Sequence, residues 1–381
     1  MDSLNTDNEN RSVLLADLRP PQPRDDGLRK QLLSFIRGTR VVIPDLQSMT
    51  SHWPTCVNAD IDRLGADVRS RLESILSAPE DQKRLAKMKE TNFALFGASW
   101  WSYSTRYEAL RIATYLAIWL FLWDDETDSV EYSDLTNDFE GACAFRRETL
   151  AYVEACLSPD SQAHLPLIST NRFITNFSEV GKALRESYTE RQIEAFLDEV
   201  RRYINMCEEE QRWQVSAQLP PADEYIRRRM GSSAVGITMG LMEYAYGIDL
   251  GDSLRSNPIL RAMLEEANLV TSISNDILSI KKEIDNGQTD SLVPLLTLQL
   301  GSVQKAIDQA VKTVRSSIAR IDALEKEILE EYSSDGPARE AIGKFIGGCK
   351  IACTANTNWT LQSPRYKLHG RSVGGVLEVV L

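Results

Sequence analysis

Several things are scarce in this chain of 381 residues: positive charge, long apolar runs, strand-like alternation and histidines with metal-ligand spacing. Lysine and arginine number 43 against 55 aspartates and glutamates, a net charge of −12. So acidic a chain has no concentrated cationic surface for a phosphate backbone, and no nucleic-acid partner is expected. The longest largely apolar stretch, Ile112 to Trp123, is far shorter than the roughly 20 residues a bilayer span requires, so it reads as a buried core helix and no membrane span is expected. The start, MDSLNTDNENRS, is polar and lacks the apolar stretch of a secretory signal. Six cysteines, Cys56, Cys143, Cys156, Cys207, Cys349 and Cys353, are scattered without a disulfide framework and read as reduced thiols of a cytoplasmic protein. Cys349 and Cys353 lie one helical turn apart but have no ligand neighbours, which points to core packing. His52, His164 and His369 stand near proline or glycine in expected loops.

With 43% hydrophobic residues the chain can fill a sizeable core as one large domain or two small ones. Residues 1 to about 40, with Pro20, Pro21 and Pro23, read as a disordered or loosely tethered arm. VVIPDL and HWPTC read as an extended lead-in, and helical periodicity begins near Asn58. It continues to about residue 361, broken at Ser77-Ala78-Pro79, Ser158-Pro159-Asp160, Pro220-Pro221, the stretch before Pro258 and Ser334-Asp335-Gly336-Pro337. No convincing strand alternation and no GxGxxG interrupts it. The expected fold class is all-α, with ten or more helices and no solenoid repeat.

The chemistry concentrates in two helical segments. Asn275, Ser279 and Glu283 are spaced four apart, so an amide oxygen, a hydroxyl and a carboxylate share one helical face, a ladder of hard oxygen ligands suited to Mg²⁺. Lys282 lies beside that face, within reach of an anion. The plainer reading, a solvated polar face, conflicts with the flanking Ala267, Leu269, Val270, Ile273, Ile277, Leu278 and Ile280. A polar stripe on so apolar a helix must meet a partner or a cavity, since burying it unpaired costs roughly 2–7 kcal/mol per group. At Trp123-Asp124-Asp125-Glu126-Thr127-Asp128 a second apolar helix ends in four acids. Asp124 and Asp128 are one turn apart with Asp125 to the side, and they repel each other at the helix end that the dipole makes unfavourable for acids. Cations between them relieve both penalties.

Three further stretches complete the set. Arg227, Arg228 and Arg229 precede Gly231, Ser232, Ser233 and Gly236, small residues expected to loosen or break the helix; one inward arginine suffices to clamp a phosphate. Residues 90–107 carry Phe93, Phe96, Trp100, Trp101, Tyr103 and Tyr107, which pack a core or line a cation-stabilising pocket. Trp359 and the pair Arg365-Tyr366 stand at and beyond the end of the last helical pattern.

On these residues the chain resembles the class I terpene cyclase family, of the fungal sesquiterpene synthase type. Its aspartate-rich DDxxD motif matches Asp124, Asp125 and Asp128, and its NDxxSxxKE motif matches Asn275, Asp276, Ser279, Lys282 and Glu283. The family's diphosphate-sensing arginine, 46 residues before that asparagine, falls on Arg229, and its terminal Arg-Tyr pair on Arg365 and Tyr366. Ser232 stands where bacterial relatives often have an acid, and Ser233 where the helix-break carbonyl is expected.

The resemblance implies a single-domain helical bundle over residues 41–370 with a central active-site cavity, followed by a tail at 371–381. It implies three Mg²⁺ ions held by Asp124, Asp125, Asp128, Asn275, Ser279 and Glu283, and a diphosphate held by Arg229, Lys282, Arg365, Tyr366 and Ser233. Phe93, Phe96, Phe121 and Trp359 are the candidate cavity wall. The implied reaction is ionisation and cyclisation of an isoprenyl diphosphate, farnesyl diphosphate by preference and geranylgeranyl diphosphate as the alternative. An isoprenyl diphosphate synthase ranks lower, because a second aspartate-rich motif is missing, and a non-enzymatic metal-binding scaffold does not account for Arg229 or Arg365-Tyr366. The segment after Trp359 is expected to order only when ligand arrives. Monomer and homodimer both stay open.

Overall fold

A computed structural model describes residues 27–216, 218–368 and 372–381. Its helices are α1 (Gly27–Ile36), α2 (Ile61–Ile75), α3 (Gln82–Glu90), α4 (Phe93–Trp100), α5 (Tyr107–Asp128), α6 (Phe139–Leu157), α7 (Ser178–Ser187), α8 (Glu190–Gln214), α9 (Ala222–Ser232), α10 (Val235–Gly240), α11 (Pro258–Asp285), α12 (Leu292–Leu300), α13 (Val303–Glu331) and α14 (Gly336–Gln362), with short helical turns between them. The architecture is all-α, as expected.

Two helices sit at the centre because they are apolar on most sides. In α5 the run from Ala109 to Leu120 is buried throughout apart from Arg111, so other helices must surround it. Helix α11 starts cleanly, with Asn257 accepting from the amides of Ile259 and Leu260 and Pro258 in its first turn. It is then clasped by α13 and α14. The aromatic helix α4 comes against α5 at Gly97: a Cβ there would lie 2.0 Å from Thr114 Oγ1, so only glycine permits the approach.

Two boundaries differ from the sequence reading. The loose arm to residue 40 does not hold for residues 27–40: α1 buries Leu32 and Ile36, and Arg29 makes a bidentate pair with Asp290 at 2.7 and 2.9 Å. Residues 1–26 lie outside the described residues, as does His369. The tail and the lead-in also pair with each other. Strands β1 (Arg40–Ile43), β2 (Ser372–Val373) and β3 (Val376–Val380) form an antiparallel sheet in the order β1-β3-β2, with Arg40 opposite Val380 and Ile43 opposite Leu377. The overlooked signal was a hairpin: Gly374 and Gly375, both at positive φ, turn the chain, and Leu377, Val379 and Leu381 alternate inward. The open edge of β1 is covered by the Gln304 side chain, which takes both the N–H (2.8 Å) and the C=O (2.9 Å) of Val42.

All six cysteines are free, and Cys349 and Cys353 are buried in the core. No described helix is long and apolar enough to cross a membrane.

Candidate active site

The last turn of α5 divides its three aspartates. Trp123 anchors the turn, stacked on Phe145 with its indole donating to Thr149 at 2.8 Å. Asp124 accepts from the Tyr203 hydroxyl at 3.3 Å and Asp128 from Gln214 at 3.2 Å, both from α8. With Glu210, also on α8, and Arg229 they line a polar cavity of about 80 Å³. Asp125 turns the other way, 3.8 Å from Arg84 of α3 and 3.9 Å from Arg365. Asp124 and Asp128 thus share one face with Asp125 to the side, as the spacing predicts, and Asp125 leans toward the two arginines while staying close enough to Asp124 to repel it.

Asp124 and Asp128 are both pushed above the usual carboxylate range, first by loss of solvent inside the cleft and then by neighbouring carboxylates, Asp125 and Glu210 for Asp124, and Asp124 and Glu210 for Asp128. Asp128 has one side at the open rim, which weakens the first cause and leaves the repulsion. A carboxylate whose folded-state value is raised stabilises the fold below its ordinary range, and that contribution disappears as pH climbs through the raised value. The metal-free protein should therefore lose melting temperature as pH rises from about 4 to about 8, and Asp128→Asn should flatten that slope. Thermal denaturation across pH checks it, and an identical slope in the variant would refute the repulsion.

Across the cleft, α11 presents its three oxygen donors on one face, as its spacing predicts. Ser279 donates to Glu283 Oε1 at 2.5 Å, and Ser291, ahead of α12, donates to Glu283 Oε2 at 2.6 Å. The Asn275 amide is oriented at both ends, its oxygen accepting from Arg229 at 3.0 Å and its nitrogen donating to the Tyr366 hydroxyl at 3.2 Å. Asp276 is buried and holds Arg229 Nε at 3.1 Å while accepting from Tyr225 at 2.8 Å. The tyrosine four residues before Arg229 thus acts on the arginine through Asp276. Lys282 lies beside this face, its ammonium 5.9 Å from the Tyr366 ring, and burial followed by repulsion from Arg365 lowers its pKa to about 8.

The helix bearing Arg229 ends where the small residues predict. Ala234 adopts a left-handed φ of 59°, separating α9 from α10. The Ser233 hydroxyl donates to Asn268 at 3.1 Å, and the Asn268 amide in turn donates to Met230 O at 2.7 Å. The Ser233 hydroxyl therefore bridges the broken helix to α11, with Ser233 itself at the helix break, as the small residues predict. Exposed polar groups at a helix break need satisfying, and Asn268 satisfies them.

The tail beyond Trp359 packs against the cleft: Ser363 caps the short turn Pro364–Tyr366, Tyr366 packs edge-on against Trp359 at 5.6 Å, and Arg365 sits 5.5 Å over the Phe121 ring. Below it the four candidate wall residues touch one another. Ring centroids lie 5.1 Å apart for Phe93–Phe121 and Phe96–Trp359, 5.8 Å for Phe121–Trp359 and 6.0 Å for Phe96–Phe121, all edge to face.

Sequence reasoning missed Tyr203, Glu210 and Gln214, although their spacing of seven and four places them on one face of α8. It also missed Ser291 and Arg84, for which no local pattern exists. Among the described residues no three carboxylate, histidine or cysteine side chains converge as a metal cage. The donors stand instead on two walls, a chemistry of hard oxygens with carboxylates lacking full compensation, which fits divalent ions shared with an anion between the walls.

Comparison with known proteins agrees with this geometry. Residues 115–320 match the family described as terpene synthase family 2, C-terminal metal binding. The sesquiterpene cyclase hepA of Aspergillus oryzae is 33% identical over 337 residues, covering 86% of this chain and 89% of its own length. The terpene cyclase braA of Annulohypoxylon truncatum is 26% identical, with 89% of each chain covered. Among solved structures, a-eudesmol synthase shares the fold at a TM-score of 0.69 and 17% identity, covering 82% of this chain and 97% of that one. The family match and the 33% identical relative define a class I terpene cyclase of a metal-binding family. The chain belongs to terpene synthase family 2 and is an enzyme of the fungal terpene cyclase type.

Proposed function

We propose that this chain ionises a linear isoprenyl diphosphate, farnesyl diphosphate in first place, and cyclises the resulting carbocation to a sesquiterpene hydrocarbon or alcohol with release of diphosphate. The observation that carries the reading is the facing of two walls, Asp124 and Asp128 against Asn275, Ser279 and Glu283, with Arg229, Lys282, Arg365 and Tyr366 around them. Asp124 and Asp128 would hold Mg²⁺ on one wall and Asn275, Ser279 and Glu283 on the other, three ions by family resemblance. When bound, Mg²⁺ supplies positive charge at the oxygens of the departing diphosphate.

The chain's own groups do the rest. Arg229, Lys282 and Arg365 add positive charge and donors, and Tyr366 a hydroxyl, where negative charge develops on the leaving group. Tyr366, bonded to Asn275 and packed on Trp359, sets the tail across the cleft, where it keeps water from the cation. Phe93, Phe96, Phe121 and Trp359 offer ring faces and edges beneath that tail.

The similarity to a sesquiterpene cyclase supports the C15 substrate. Geranylgeranyl diphosphate is the alternative, favoured if the aromatic cluster opens to admit a longer chain. Diphosphate release from each substrate, with Mg²⁺ and with EDTA, followed by mass spectrometry of the hydrocarbon extract, tests the reading. Metal-independent release, or none from either substrate, would refute it.

A second measurement addresses the wall. Each cation–π contact is worth about 0.5–2 kcal/mol, enough to shift branching between competing cyclisations by roughly 2- to 30-fold. Phe96→Ala and Phe121→Ala should therefore change the product mixture more than the rate of diphosphate release. An unchanged profile with slower turnover would remove these rings from the wall.

A further inference from the structure

Helix α1 lies outside the stretch that matches the family and far from the cleft in sequence, yet one of its side chains is among the most heavily bonded in the molecule. Arg29 is 4% exposed. Its Nε and Nη2 grip the two oxygens of Asp290 at 2.9 and 2.7 Å, its Nη1 donates to Ser216 O at 2.7 Å, and its Nη2 also donates to Trp213 O at 2.9 Å and Gln218 O at 3.0 Å. A single guanidinium thus ties together the loop that leaves α11 and the loop that leads from α8 to α9. A second arginine of the same segment, Arg37, donates to Ile284 O in the last turn of α11 at 3.4 Å.

The residue after Asp290 is Ser291, whose hydroxyl holds one oxygen of Glu283 while Ser279 holds the other. We propose that Arg29 is a positioning residue for Glu283: it fixes Asp290 from outside, and the neighbouring Ser291 fixes the carboxylate from inside. The inference rests on the reading of Glu283 as a metal-binding group. A buried arginine–carboxylate pair is often no better for stability than apolar residues of the same volume. What five bonds in a fixed fork provide is a loop held in one place, and with it one orientation of the Glu283 carboxylate.

The test is uptake of Mn²⁺ together with inorganic diphosphate by the full-length protein, followed by calorimetry, with circular dichroism to verify the fold. Arg29→Met and Ser291→Ala should each weaken uptake by about tenfold, the scale of groups that orient a metal-binding side chain. Arg29→Lys should recover part of the loss. The double variant should be no weaker than Ser291→Ala alone, because both changes break one chain of contacts. In turnover the loss should appear in the Mg²⁺ concentration needed for half-maximal rate more than in the limiting rate. Folded Arg29→Met with wild-type uptake, or losses that multiply in the double variant, would overturn the inference. If Arg29→Met does not fold, Asp290→Asn decides in the same way. Wild-type protein that takes up no Mn²⁺ with diphosphate would instead overturn the reading of the site itself, and the inference with it.

Discussion

Glu283→Gln and Asp124→Asn should each produce a folded protein whose diphosphate release is slower by at least about 10²- to 10³-fold, the scale of losing one group that stabilises developing charge. The reason the fold should survive differs between the two walls. At Asp124 the native carboxylate is itself under strain from burial, Asp125 and Glu210, so the neutral amide removes repulsion and the melting temperature should hold or rise at neutral pH. At Glu283 the two hydroxyls of Ser279 and Ser291 that now donate to the carboxylate can rotate, one donating to the new amide oxygen and the other accepting from its nitrogen. Each change removes one negative charge from a wall to which the proposed function assigns cations, and neither removes packing. Turnover within threefold of wild type at saturating Mg²⁺, in both variants, would show that these walls do not carry the reaction.

The helices bearing this chemistry were legible because their polar residues break an apolar pattern at helical spacing. Asn275, Ser279 and Glu283 share a face for that reason, and Asp124 and Asp128 do likewise. Spacing also put Asp125 to the side of that pair, but the direction in which a flanking carboxylate turns is decided by Arg84 and Arg365, which are distant in sequence and which no local pattern reports. The partner of the Ser233 hydroxyl was equally out of reach of local pattern, since it is Asn268 on another helix. The first described helix was hidden because what ties it to the bundle includes Arg29 and Asp290, 261 residues apart, and composition alone cannot report such a pair. The terminal hairpin was the avoidable omission, with two glycines between short alternating runs in plain view.

Arg365→Ala should slow turnover by about 10²- to 10⁴-fold, the equivalent of two charge-assisted hydrogen bonds at roughly 1.5–3 kcal/mol each. Arg365 is half-buried: its contact with Asp125, at 3.9 Å, is longer than a hydrogen bond, and its guanidinium rests over Phe121. Tyr366 ties the tail to Asn275, and the Arg365 guanidinium beside it is placed to engage the oxygens of a diphosphate. Removing that donor leaves the tail attached through Tyr366 and Trp359 but deprives it of the contact that binds it more tightly once the anion is present. Two consequences should then appear together. Hydrogen exchange across residues 360–368 should slow in the wild type when diphosphate and Mg²⁺ are added jointly, starting from a protected baseline, and should change little in Arg365→Ala. The variant's residual turnover should release a larger share of acyclic alcohol, because a looser tail admits water to the cation before cyclisation is complete. A variant that keeps both the wild-type exchange response and the wild-type product profile would mean that Arg365 contributes charge alone, and that closure is achieved by Tyr366.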